Sequence, residues 1–213
     1  MSTKNVFSSN LDINKTAYLN WRMDEDSEGN LAEMANGFYL SARIQVDAIL
    51  EDNSDKKADS IIFPILYAID QSIELYLKAI IRLIERIEDG KANNYTTHDV
   101  AELLGNLKGK IKRKEATTKG LQKHLSSVQL YVDELTAHFS GDDKKVKMDF
   151  ARYPMDAKGI PYCYVTSREN VTVDVEYLHQ QLEDMHTALE ALYLQYSVEL
   201  DWVIQRRYEH SIW

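Results

Sequence analysis

The chain has 213 residues, 44% of them hydrophobic, which is long enough for one domain with its own core and too apolar for general disorder. A net charge of −9 disfavours a general duplex-DNA binder, whose affinity comes mainly from cations that neutralise phosphates. Its 8 Gly and 3 Pro leave little for turns, and its 1 Cys excludes an internal disulfide. The sequence also lacks an unbroken apolar run of about 18 residues and a signal-type start, so the cytoplasm, away from membranes, is the expected setting.

Residues 1–29 are polar and mixed, and they read as an N-terminal arm. Tyr18 and Trp21 are its expected anchors on the rest of the protein, ahead of the acidic run Asp24-Glu25-Asp26. From residue 30 to 213 the pattern is that of a helical bundle. Helix one is expected at about 30–51, capped by Asn30 and burying Leu31, Ala35, Phe38, Ala42 and Ile49. Helix two, about 60–88, carries Ile62, Leu66, Ile69, Ile73, Tyr76, Ile80, Leu83 and Ile87 at steps of four and three, one helical face. Beside that stripe Asp70, Glu74, Lys78 and Arg82 follow at steps of four, acids first and bases last, as the helix dipole favours. Pro64 fits only near its first turn, and Asp89-Gly90 ends it.

Thr96 with Asp99 forms the pattern of a capping box for helix three, whose buried face is Val100, Leu103, Leu104, Leu107 and Ile111. Helix four is expected at about 119–139, with Leu121, Leu125, Val128, Val132, Leu135 and Phe139 inward. The period then changes. Phe150–Met155 and Ile160–Val165 flank Asp156-Ala157-Lys158-Gly159, which suits a type I turn, so a small β-hairpin is expected at about 148–166. A last helix from Asp174 to about Tyr208 would run roughly 50 Å at the α-helical rise. The expected fold is therefore all-α: an up-down antiparallel bundle of about five helices with the hairpin inserted before the last.

Several groups invite a chemical reading. Glu74 and Lys78 either line a cleft, positioning a phosphate or orienting His98, or form a plain i, i+4 surface pair. His98 itself suits a helix-start residue better than a catalytic base, and Arg152 suits an acid's partner that holds the hairpin to the bundle. Lys110, Lys112, Arg113 and Lys114 lie in a basic tract from Lys108 to Lys123, either an RNA-steering patch or a solvated helix end. Glu176-x-x-His179 and Glu183-x-x-His186 have di-iron spacing, but both sit on one helix without a facing copy. They are expected to form an exposed self-paired face or a strip that meets a second protomer. The 13 Tyr, with Trp202 and Trp213, mark either an interaction surface or ordinary core and boundary positions. There is no Walker loop, dinucleotide turn, nucleophile elbow or Cys cluster, and neither cofactor nor metal is expected.

Ala68-x5-Glu74-x2-Leu77-Lys78-Ala79, followed by His98-Asp99-Val100-x2-Leu103-Leu104, resembles the helix pair of the HEPN superfamily. The stretch Arg152-Tyr153-Pro154-x-Asp156-x2-Gly159-x-Pro161 is similar to an insert of prophage-type members. The resemblance spans about residues 60–210. It implies a bundle that dimerises around a cleft, with RNA, a protein partner or an antitoxin as binding partners. Many such proteins are metal-independent ribonucleases of toxin–antitoxin, abortive-infection and other phage-defence systems. They use an Arg and a His, four to six residues between them, on the last helix. Arg206 and His210 are the corresponding pair here, with Glu74, Lys78, His98 and Arg152 shaping the cleft. Only three residues separate Arg206 from His210, so the alternative is a catalytically degenerate module that dimerises or binds a partner.

Overall fold

Asp26 starts the first long helix: its carboxylate accepts the Gly29 N–H at 2.8 Å, and α1 runs Ser27–Glu51. The cap lies ahead of the expected Asn30 because Asp26 already satisfies a first-turn N–H. The computed structural model describes residues 5–19, 26–114, 125–139 and 148–211, with Lys114 and Ser211 as backbone only. α2 spans Ala58–Asp89, α3 Val100–Lys114 and α4 Ser126–Phe139. A single helical turn, α5, spans Cys163–Thr166, and α6 spans Val175–Ser211. Short 3-10 turns occupy Ile13–Lys15 and Met148–Ala151. Trp21, Leu121, Lys119, Lys123 and Trp213 lie outside the described residues.

The fold is an all-α bundle with α2 at its centre. α1, α3, α6 and the Met148–Ala151 turn all pack against it. Burial on α2 therefore extends past the expected stripe to Ile65, Leu77, Ile81 and Ile84, all fully buried. By length and composition α2 is the one helix among the described residues apolar enough to cross a membrane, yet 56% of that stretch is buried inside the bundle. Three of the row of charges, Asp70, Glu74 and Lys78, are buried too, as is Glu85, while Arg82 is only partly covered. Pro64 sits in the second turn, deeper than expected; the N–H it lacks leaves the carbonyl of Ser60 unbonded at an exposed position. Gly90 ends α2 in a left-handed conformation (φ 77°) that other residues adopt only with strain.

Cross-helix pairs give the directions. Glu28 on α1 binds Arg82 and Arg86 near the end of α2, so these two helices run oppositely. The loop after Gly90 climbs back along α2. Arg82 donates to the Asn93 carbonyl and to Asn94 Oδ1, and Glu85 accepts the Asn93 N–H. His98 thereby reaches Glu74, and Lys110, well along α3, reaches Glu85. α3 consequently runs in the same sense as α2, and a strictly alternating up-down order is not what these pairs describe. The α3 cap is Asp99, which accepts the Glu102 N–H, rather than Thr96, because residues 96–98 stay extended toward α2.

The expected β-hairpin is absent: among the described residues there is no strand, only an isolated antiparallel bridge between Met155 and Pro161. The turn itself forms, with the Gly159 N–H on the Asp156 carbonyl at 2.9 Å and Gly159 at φ 79°. Its flanks do not extend into strands. Pro154 and Pro161 have no N–H for a ladder, Phe150 is drawn into a 3-10 turn, and Cys163–Thr166 coils. Fully buried Phe150 stacks on Phe139 at 3.9 Å, and the Tyr164 hydroxyl donates to the carbonyls of Phe150 and Tyr153. These contacts anchor the insert.

α6 buries Leu178, Leu182, Met185, Leu189, Leu192, Tyr196 and Leu200, then leaves the core. Arg207 ties its last turns down by donating to the carbonyls of Arg86 and Ile87 at the end of α2, where the helix dipole favours a cation. The described part of the arm, residues 5–19, contributes nothing to the core, and Tyr18 is 58% exposed.

Candidate functional site

Glu74 organises one end of the site. Its Oε1 lies 2.8 Å from Lys78 Nζ and 2.9 Å from His98 Nδ1, while Gln71 Nε2 approaches Oε2 at 3.5 Å. The i, i+4 spacing on α2 brings Lys78 to Glu74, and the return of the 91–99 loop brings His98. Glu74 and Lys78 are buried, whereas the His98 ring is 80% exposed. The lysine charge is spent on Glu74. It is not presented to a phosphate.

Above this trio opens a cavity of about 460 Å³ between α2, the approach to α3 and the Met148–Ala151 turn. Arg152 lies on its rim, paired with Asp149 and with its guanidinium 5.9 Å from the centre of the Tyr67 ring. Three of the four expected cleft residues thus meet around one cavity, with Lys78 beneath it. Asp70, Asp99 and Asp149 line the same space and were not expected there. Burial, then the nearby Glu74 and Asp99 carboxylates, push the Asp70 carboxyl up to about 8, so it is neutral at pH 7. The sequence did carry a signal for Asp70: it stands one helical turn from Leu66 and from Ile73, beside the apolar stripe, where an acid is out of place. Among the described residues the lining thus carries the acids Asp70, Glu74, Asp99 and Asp149 with His98 and Arg152; Glu74 pairs with Lys78 beneath the cavity and Asp149 with Arg152.

Arg206 and His210 are exposed near the end of α6, on its projecting turns. Arg206 Nε donates to the Trp202 carbonyl of the preceding turn at 3.4 Å. The neighbouring Arg207 contact fixes this region beside residues 86–87 of α2, roughly 20 Å along the helix from Glu74 at 1.5 Å per residue. Within one chain, then, this pair does not meet the Glu74–His98 cavity. Arg206, His210 and the apolar Leu194, Val198 and Trp202 are exposed at steps of four along α6, a row that winds around the helix by about 40° a step.

The basic tract divides. Lys110 is buried against Glu85 at 2.8 Å, and Lys108 donates to Gln129, so neither serves as a free surface cation. Lys112 and Arg113 are exposed, and the Lys114 side chain lies outside the described residues. Glu85 shows why Lys110 turns inward. Burial alone would raise its pKa, but the Asn93 N–H, Lys110 and Tyr95 pull it down to about 2. Burial likewise works against Glu28, and hydrogen bonds from Arg86, Ser27 and Arg82 bring its carboxyl below the usual range.

Of the paired Glu-x-x-His residues, His179, Glu183 and His186 join α1 to α6 instead of forming a self-paired outer face, and Glu176 is exposed. His179 Nε2 meets Asp47 at 3.1 Å, and Glu183 accepts from Tyr39 (2.8 Å) and pairs with Arg43 (3.1 Å). His186 stacks on Tyr39 with ring centres 3.6 Å apart. Among the described residues no three His, Cys, Asp or Glu side chains group as a metal site. Comparison with protein-family profiles, with curated proteins and with solved structures finds no match to this chain.

Proposed function

We propose that this chain is a HEPN-like cytoplasmic protein of bacterial defence or toxin–antitoxin type that acts as a dimer on RNA and cuts it without a metal ion. The observation that supports the reading is the exposed row of Leu194, Val198, Trp202, Arg206 and His210 on α6. Its apolar half is open to a second copy, and its polar half to an RNA strand held beside that copy. His210 takes the proton of a ribose 2′-OH or returns one to the leaving oxygen, while Arg206 offsets the charge growing on the phosphate. Exposed Lys112 and Arg113 add local attraction for the strand. Glu74, Lys78, His98 and Arg152 hold α2, α3 and the insert in register around a separate cavity. The test is incubation of the purified protein with labelled single-stranded RNA in EDTA. Cleavage is expected, with loss in His210→Ala at unchanged helical content; full cleavage by that variant removes His210 from the mechanism.

A second reading has its own support. Arg206 is engaged by its own helix at the Trp202 carbonyl, and three residues rather than four to six separate it from His210. Both favour a module that dimerises or binds a partner without cutting. A stable dimer by light scattering, with RNA left intact, selects this reading over the first.

A further inference from the structure

We propose that the cavity above Glu74 binds a small organic cation, an ammonium or guanidinium group on a flat or extended body, with Asp70 as its innermost counter-ion. The inference is independent of whether the chain cuts RNA. It starts from an unfilled hydrogen-bonding requirement. Asp70 is 5% exposed and lines the cavity, and it has no hydrogen-bond or ion-pair partner among the described residues. Buried carboxyls are otherwise paired, because an unpaired one forfeits its hydration for nothing. The other acids of the cavity are provided for. Glu74 has Lys78 and His98, Asp99 caps α3 through the Glu102 N–H, and Asp149 has Arg152.

The groups that face Asp70 select the sign of the ligand. Glu74 comes from its own helix, His98 and Asp99 from the approach to α3, Tyr131 from α4, and Asp149 and Arg152 from the Met148–Ala151 turn and its end. Among the described residues the cations beside it, Lys78 and Arg152, are already committed to acids. An anion entering this cavity would meet the acids Asp70, Glu74, Asp99 and Asp149 on its walls. A cation would meet Asp70 at the floor and carboxylates on the walls. The Arg152 guanidinium over the Tyr67 ring shows that this aromatic wall accepts a cation against its face. A volume of about 460 Å³ admits a molecule of several heavy atoms. A bare metal ion does not fit, since no three ligating side chains converge among the described residues.

Two species can quiet Asp70: a proton, which it holds when the cavity is empty, or the bound cation. The cation then displaces the proton, which passes to the solvent, and the carboxylate pairs with the incoming charge. Agmatine and spermidine are the probes, with AMP, inorganic phosphate and an arginine-containing tripeptide as comparisons, followed by titration calorimetry in two buffers of different ionisation heat. Agmatine or spermidine is expected to bind with a Kd of about 1 mM or tighter, releasing up to one proton near pH 7 and almost none above about pH 9. Asp70→Asn should weaken binding about tenfold or more and abolish the proton release. Asp99→Asn keeps the helix cap and removes one wall charge, so a smaller loss is expected. Thermal melts of both variants establish that they are folded. Absence of cation binding at about 10 mM, equal binding in Asp70→Asn, or binding of AMP or phosphate in place of the cations overturns the proposal. A tenfold preference for the tripeptide over agmatine overturns the small-molecule assignment.

Discussion

Glu85 and Asp70 stand on the same buried helix and have opposite fates, because one is surrounded by donors and the other by acids. Glu85 accepts from the Asn93 N–H at 2.8 Å and from Tyr95, and pairs with Lys110 at 2.8 Å. Its folded pKa of about 2 lies below the ordinary 4.5, so its stabilisation is complete above pH 4.5 and fades as pH falls toward 2. Glu85→Gln leaves Lys110 buried without its counter-charge and is expected to cost about 3 kcal/mol, read from urea unfolding at pH 7. Asp70 has the reverse linkage. Its folded pKa of about 8 exceeds the ordinary 3.8, so the native state keeps a proton that the unfolded chain gives up. Its contribution to stability therefore declines as pH rises from about 4 to about 8. Asp70→Asn, neutral at every pH, should gain on the order of 1–3 kcal/mol at pH 8 and little at pH 4. A loss at pH 8 would show that Asp70 has a partner there which Asn cannot replace.

At the scale of elements, the joint between α1 and α6 holds a pH-sensitive group. His186 stacks on Tyr39, lies 5.8 Å from the Tyr76 ring and 3.9 Å from the Glu190 carboxylate, and has no partner for its buried Nδ1. Burial lowers its pKa below 6.5, against the pull of Glu190 and Glu183. The unfolded chain therefore takes up the proton first. The contribution of His186 is whole above pH 6.5 and is lost as pH falls through the folded value. His186→Gln should flatten the stability profile below about pH 6.5 while lowering the plateau by about 1 kcal/mol through lost stacking. An unchanged slope would assign that limb to another group. The five long helices were legible because apolar residues recur at steps of three and four. The insert was not legible as a helical turn, since the Asp156-to-Gly159 signal describes a tight turn without saying whether its flanks pair.

For the whole molecule, the core among the described residues is built from residue 28 onward, and residues 5–19 of the arm stand outside it. Val6, Phe7 and Leu11 are each at least 89% exposed, so deleting residues 1–18 is expected to move the melting temperature by less than about 2 °C. A larger drop in a thermal melt would mean that the arm packs on the bundle in solution. The expected anchoring by Tyr18 has no counterpart in its 58% exposure. The candidate site was only partly legible. Glu74, Lys78 and His98 were picked out by a motif, and they do converge. Arg206 and His210 were picked out by another, and they stand at the far end of α2 from that cavity.

By itself the sequence determined the helices, the central place of α2 and most inward positions (though on α1 Ala32, Tyr39 and Val46 are buried where Leu31 and Phe38 were expected), because periodicity is a local property that any partner surface must respect. It determined the turn at Asp156–Gly159 for the same reason: the whole hydrogen-bond pattern lies within four residues. Tertiary structure alone decided that α3 runs with α2, that Asp70, Glu74, Lys78 and Glu85 are interior, and that Asp70 has no counter-charge among the described residues. Each depends on which groups a folded neighbour brings near. The route of the 91–99 loop carries Asp99 to Asp70, and the donors of Asn93, Tyr95 and Lys110 to Glu85, across separations that no spacing in the chain encodes.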